Sequence, residues 1–204
     1  GLSTQVIGNS DFYNGAFPAE YSNALSGVFD MHLRNGNNQK YEHAFQVGLM
    51  GIDLASEGPI NKKRGSSYLI NYRFSTTSLA SGNDINLKYQ DVAFKLNFPT
   101  CKAGTFSIWG LGLTDRNKVD ALERSEWETM GDRSSGSNKL DKLAGGLAHK
   151  YIIDENTYIR SSLSATYSKD RSMVDLHTDN EIVQAADIQN SRWNFVFNSY
   201  LNKK

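Results

Sequence analysis

The residues able to carry chemistry are few, and their spacing does not assemble them into a reactive group. The four histidines, His32, His43, His149 and His177, fall in different segments with no i, i+4 pair and no cysteine beside them, so the spacing gives no metal-binding motif. Cys101 is the only cysteine, which excludes an internal disulfide framework and a cysteine-based metal cluster. Gly104, Gly110 and Gly112 are not followed by the Lys-Ser/Thr pair of a phosphate-cradling loop, and their surroundings read as a strand. Glu123, Glu126 and Glu128 form an acidic group in a polar stretch and read as solvated charges. Serines are abundant, yet none sits in a Gly-x-Ser-x-Gly elbow. No residue is named as catalytic, no cofactor is implied, and the chain is not expected to be an enzyme.

Bulk properties narrow the choice further. The 22 basic and 22 acidic residues cancel, so no global field draws the chain to nucleic acid. Hydrophobic residues make up 39% of the 204, while ten Tyr and ten Phe raise the aromatic share to 11%, a mix that favours strands. No stretch approaches the roughly 20 apolar residues of a membrane helix, and the first residues carry no signal-peptide pattern.

The elements that must position any site are strands, because the dominant pattern has period two. Tyr68, Ile70, Tyr72 and Phe74 share one face, with Ser67, Asn71, Arg73 and Ser75 on the other. Val92, Phe94, Leu96 and Phe98 oppose Ala93, Lys95 and Asn97. Ile159, Leu163, Ala165 and Tyr167 oppose Arg160, Ser162, Ser164 and Thr166, and Trp193, Phe195 and Phe197 oppose Arg192, Asn194 and Asn198. Segments 105–113 and 142–152 alternate more softly because glycines dilute both faces. The polar faces demand water or a polar lumen, and the other faces demand hydrocarbon or a core.

Connection lengths alternate as well. Residues 61–65, 99–104 and 154–156 read as short turns, and residues 76–88, 114–140 and 172–190 read as long loops. The stretch KVDALERSEWETM in the second loop has the composition of a short helix ending at Gly131. Short turns at one end and long loops at the other are the habit of transmembrane β-barrels, whose strands cross in about 9–11 residues. Phe98, Phe106, Tyr151 and Tyr158 flank the short turns as an interfacial girdle would. The expected fold class is all-β, an antiparallel meander of about eight strands forming a partial transmembrane β-barrel.

Residues 1–36 differ in texture, being rich in Asn, Gly, Ser and small residues, with one alternating strand around Phe29, Met31 and Leu33. The run GAFPAEYSNALSGVFDMHLRNGN, residues 15–37, resembles the plug-to-barrel junction of TonB-dependent outer-membrane receptors. Glu20, Tyr21, Ser22, Gly27 and Val28 occupy the places of that family's Tyr-Gly-Ser-like segment and Gly-Val-hydrophobic strand, which here ends at Arg34, Asn35 and Gly36. The Gly-Pro dipeptide in DLASEGPINKK, residues 53–63, resembles the close of the family's first hairpin, and the flavour is that of receptors of the Bacteroidetes type.

The resemblance implies that residues 1–36 are the C-terminal end of a plug domain and residues 37–204 the N-terminal strands of a barrel of about 22. It therefore implies a fragment that self-associates through its open edges. It further implies the outer membrane of a Gram-negative bacterium, contact with outer-membrane lipid, energy from the TonB complex, and import of a nutrient whose identity the sequence does not give. Asn71, Arg73, Lys95, Asn97 and Arg160 would line the lumen. The alternative is a soluble β-barrel or β-sandwich binding a small ligand among inward apolar residues. A surface adhesion protein would need repeats, and none is visible.

Overall fold

Alternating sequences of this kind can hide their backbone polar groups only by pairing side by side, and they do so through nearly the whole chain. The computed structural model describes residues 3–15, 26–49, 51–76, 85–178 and 181–203. Ten strands follow in order: β1 (Ile7–Tyr13), β2 (Val28–Leu33), β3 (Glu42–Gly48), β4 (Gly51–Asn61), β5 (Ser66–Thr76), β6 (Ile85–Pro99), β7 (Thr105–Val119), β8 (Ser134–Ile152), β9 (Thr157–His177) and β10 (Ile182–Lys203).

Strands β3 to β10 form one eight-stranded antiparallel meander in which each strand pairs with its sequence neighbours. The sheet is open. Among the described residues β3 and β10 are its unpaired edges, and β1 pairs only with β2, in a separate two-stranded ribbon. Both ribbon strands fall within residues 1–36, and the junction residues Glu20, Tyr21 and Ser22 lie outside the described residues. The alternation found β2 but not β1.

One end of the sheet carries three short connections. A single 3-10 turn at Lys62–Arg64 joins β4 to β5, residues 100–104 join β6 to β7, and residues 153–156 join β8 to β9. Gly104 makes the second of these possible: its φ is +80°, and an added Cβ would stand 2.2 Å from the Lys150 carbonyl oxygen. Gly36 permits a different close approach, because a Cβ there would lie 1.9 Å from the Tyr68 carbonyl oxygen as the chain passes over β5.

The opposite end departs from expectation. The loop expected over 114–140 shrinks to residues 120–133, since β7 runs on to Val119 and β8 begins at Ser134. The loop expected over 172–190 is a tight connection at residues 178–181 between β9 and β10. Most of the third, 76–88, lies outside the described residues. The expected helix is a single 3-10 turn at Arg124–Glu126. Trp127 there donates its indole N–H to the Leu122 carbonyl at 2.8 Å, and Asp132 accepts from the backbone N–H of Glu128 and Thr129. Local helix propensity is weak, and these side-chain and backbone bonds give the loop another way to satisfy its polar groups.

Candidate functional site

Register fixes what each face of the sheet carries, since a side chain on one strand shares its face with its directly opposite partner. One face holds Leu54, Tyr72, Val92, Gly112, Leu143, Tyr167 and Trp193, strand by strand in register. The other holds Ala55, Asn71, Ala93, Leu111, Ala144, Thr166 and Asn194. The first face is apolar and the second polar, as the alternation predicts.

Burial runs opposite to that polarity. The apolar face is open: Leu147 is 54% exposed, Leu163 51%, Trp193 62% and Phe195 71%. On the polar face Asn71 is fully buried, and Ser67, Asp91 and Asn97 are buried with it. The N-terminal segment lies against the same face, at Leu69, Ala93 and Lys95. Val6 packs with Leu69 and Ala93 in the one fully buried apolar cluster among the described residues, and Ile7, Leu33 and Leu111 pack against it.

Polar contacts tie the segment down around that cluster. Arg34 meets Glu57 through two parallel N–H···O bonds of 2.6 and 2.7 Å, and Glu57 also accepts the Asn37 backbone N–H at 2.7 Å. Lys95 donates to the carbonyl oxygen of Leu33 at 2.6 Å, and Ser3 donates to Asp53 at 2.7 Å.

Four of the five residues expected to line a lumen lie together on β5 and β6, the strands this segment packs against. Asn71 donates to Asp53 and to the Leu54 carbonyl oxygen. Arg73 grips one Asp91 oxygen at 2.6 and 2.9 Å and reaches the Tyr89 hydroxyl at 3.3 Å. Lys95 is bonded to the segment itself, and Asn97 accepts from the Ser107 hydroxyl at 3.1 Å. Arg160 lies on the same face but four strands from β5, opposite Lys150 and Tyr200, and is exposed. The side-chain oxygens Oδ1 of Asn71 and Oδ1 of Asp91 are buried without a partner. A buried acceptor of that kind is a place for water or a ligand donor.

The sequence reading missed Asp53, Glu57 and Asp91, the carboxylates that answer these cations. Their signal was available: Asp53 and Asp91 both stand directly opposite Arg73, so a correct register would have found them. Of the expected girdle, Phe98 and Phe106 stand opposite each other on the apolar face, and Tyr151 shares it. Tyr158 does not, because it lies on the polar face, where the Lys150 ammonium sits 4.5 Å above its ring.

Among the described residues no group of three or more His, Cys, Asp or Glu could hold a metal ion, and no helix is long and apolar enough to cross a membrane. The class defined by this geometry is an open all-β meander whose polar face is buried on β5 and β6 and exposed toward β10, and whose apolar face is bare. Compared with known proteins, the chain matches no family model, no curated protein and no solved structure.

Proposed function

We propose that this chain is part of a TonB-dependent outer-membrane receptor importing a nutrient, with residues 1–36 the end of a plug and residues 37–204 the first barrel strands. One observation carries the reading: polar side chains are buried on β5 and β6, the strands the N-terminal segment packs against, while the apolar face is bare. Water makes that arrangement unfavourable over so large a face, and a bilayer makes it favourable.

Dimensions agree. On β8 to β10 the apolar rows, each interrupted once by His149, Ser161 or Ser199, run from Leu143 to Tyr151, Tyr167 to Ile159 and Trp193 to Leu201, about nine residues or roughly 27 Å at about 3.3 Å per residue. A barrel's apolar band is about 25 Å tall. In the full receptor, further strands would pair with β3 and β10, nutrient would pass on the polar side once the segment moves, and the TonB complex would supply the energy. The resemblance of residues 15–37 and 53–63 supports the identity of the transporter.

The soluble ligand-binding alternative needs its apolar residues enclosed, and the exposure of Leu147, Leu163, Trp193 and Phe195 supports the membrane reading over it.

A test uses two tryptophans on opposite faces. Single-Trp chains keeping Trp193 or Trp109 are folded into phosphatidylcholine vesicles whose acyl chains carry bromine, a contact quencher. Trp193 fluorescence is expected to be quenched and Trp109 fluorescence spared. Equal protection of both, with a monodisperse folded chain in plain buffer, would overturn the reading.

A further inference from the structure

Just beyond the apolar rows, at the end away from the short turns, the same outward face changes character. The row above Val92, Gly112, Leu143, Tyr167 and Trp193 is Gln90, Thr114, Asp141, Lys169 and Ser191. The next is Lys88, Arg116, Lys139 and Arg171, each directly opposite its neighbour on four consecutive strands.

Directly opposite like charges on adjacent strands stand roughly 5 Å apart and destabilise a sheet. Carboxylates relieve part of this row, Arg116 pairing with Asp141 and Arg171 with Asp187, both at about 2.7 Å or less. Lys88 and Lys139 make no ion pair with a described carboxylate, and both are exposed. Below them the face is hollowed between Phe94, Leu143, Tyr167 and Trp193, with Gly110, Gly112 and Gly145 as its floor.

We infer that this row seats the phosphate headgroup of an anionic membrane lipid, whose acyl chains lie over the apolar rows beneath it. The inference rests on the outward face being lipid-facing. Charge complementarity selects the occupant: a phosphate brings the counter-charge the row lacks, guanidinium groups match phosphate oxygens with paired donors, and only a lipid joins that charge to hydrocarbon in the order the rows present.

The test follows Trp193, which lies on the same face and two rows below Arg171. A W109F/W127F chain is held in neutral detergent micelles and titrated with acyl-brominated phosphatidylglycerol or with acyl-brominated phosphatidylcholine. Phosphatidylglycerol is expected to quench at the lower mole fraction. K88Q/K139Q should raise its half-quenching fraction by about fivefold per lysine and leave phosphatidylcholine unchanged. K62Q/K63Q, with the same charge change at the short-turn end, should keep the preference. Equal quenching by both lipids, or a preference untouched by K88Q/K139Q, would overturn the headgroup seat and leave the lipid-facing reading standing. Quenching by neither lipid would overturn both.

Discussion

Arg34 and Glu57 are joined by two parallel hydrogen bonds that cross from the N-terminal segment to β4, with the Arg34 side chain 33% exposed and that of Glu57 12% exposed. Planar guanidinium and carboxylate match in this geometry, and the partial burial spares the pair some screening by solvent. Removing Arg34 leaves the Glu57 carboxylate with the Asn37 N–H as its remaining partner beneath the segment.

R34A is therefore expected to weaken docking of the segment by about 1–2 kcal/mol, a value discounted for the exposure of the arginine. Hydrogen exchange of the β1 and β2 amides reads this directly. Their exchange should quicken about five- to thirtyfold, while amides of β7 and β8 stay as they were. An unchanged β1–β2 ribbon would mean that the apolar cluster alone holds the segment.

Ala93, 1% exposed beneath Val6, offers a second view of the same docking. In a C101S background, A93C should resist a thiol reagent that modifies exposed Cys101 in the parent chain within minutes. Adding R34A should speed labelling of the buried thiol by about the factor seen in exchange. Rapid labelling of A93C alone would show that the polar face is not covered.

How much of this was legible beforehand differs by segment. Wherever one face is apolar and the other polar, as at Tyr68 to Phe74 or Val92 to Phe98, alternation gave the strand and its faces correctly. Beyond the apolar rows both faces of β8 to β10 mix polar and apolar residues, Met173 and Ile182 on one face and Leu140, Val174 and Leu176 on the other. Residues such as Lys139, Asp141, Lys169 and Arg171 then carry no period-two signal, and the strand ends read as loops. The contacts holding those ends are cross-strand ion pairs, which depend on register and not on local composition. The same holds for the polar face of β5 and β6: Asn71, Arg73 and Lys95 were recognisable as polar, but the segment packed against their strands lies 60 or so residues away in sequence, as the Lys95 bond to Leu33 shows.

The loop at residues 120–133 should respond to acid. Asp132 is held below its ordinary value of 3.8 because its carboxylate accepts the backbone N–H of Thr129, with a further bond from Glu128. A depressed carboxylate stabilises the folded loop above its unfolded value, and that contribution disappears as pH falls through the folded one. Between pH 7 and 5 a W109F/W193F chain should show constant Trp127 emission. Below about pH 4 the emission should shift as the Trp127 bond to Leu122 and the Arg133 stacking at 5.3 Å loosen. D132N should abolish the acid step, and a step that survives D132N would point to another carboxylate.

Leu69 and Leu147 invert the usual hierarchy of a soluble protein. Leu69 is 1% exposed on the predominantly polar face, and Leu147 is 54% exposed at the centre of the apolar one, opposite Ile108 and Leu163. L69A should cost about 2–5 kcal/mol, because it removes the largest side chain of the buried Val6, Leu69 and Ala93 cluster. L147A should cost far less, since lipid tails can fill the space that the side chain vacates. A charge reverses the order: L163R should cost about 2–4 kcal/mol in vesicles, where it meets hydrocarbon at mid-height of the apolar rows. In plain buffer the same arginine would face water at a half-exposed position and change stability by less than about 0.5 kcal/mol. Urea unfolding of the chain in phosphatidylcholine vesicles, followed by far-UV circular dichroism, measures all three. A near-neutral L163R in lipid would mean that the apolar face meets something other than a bilayer.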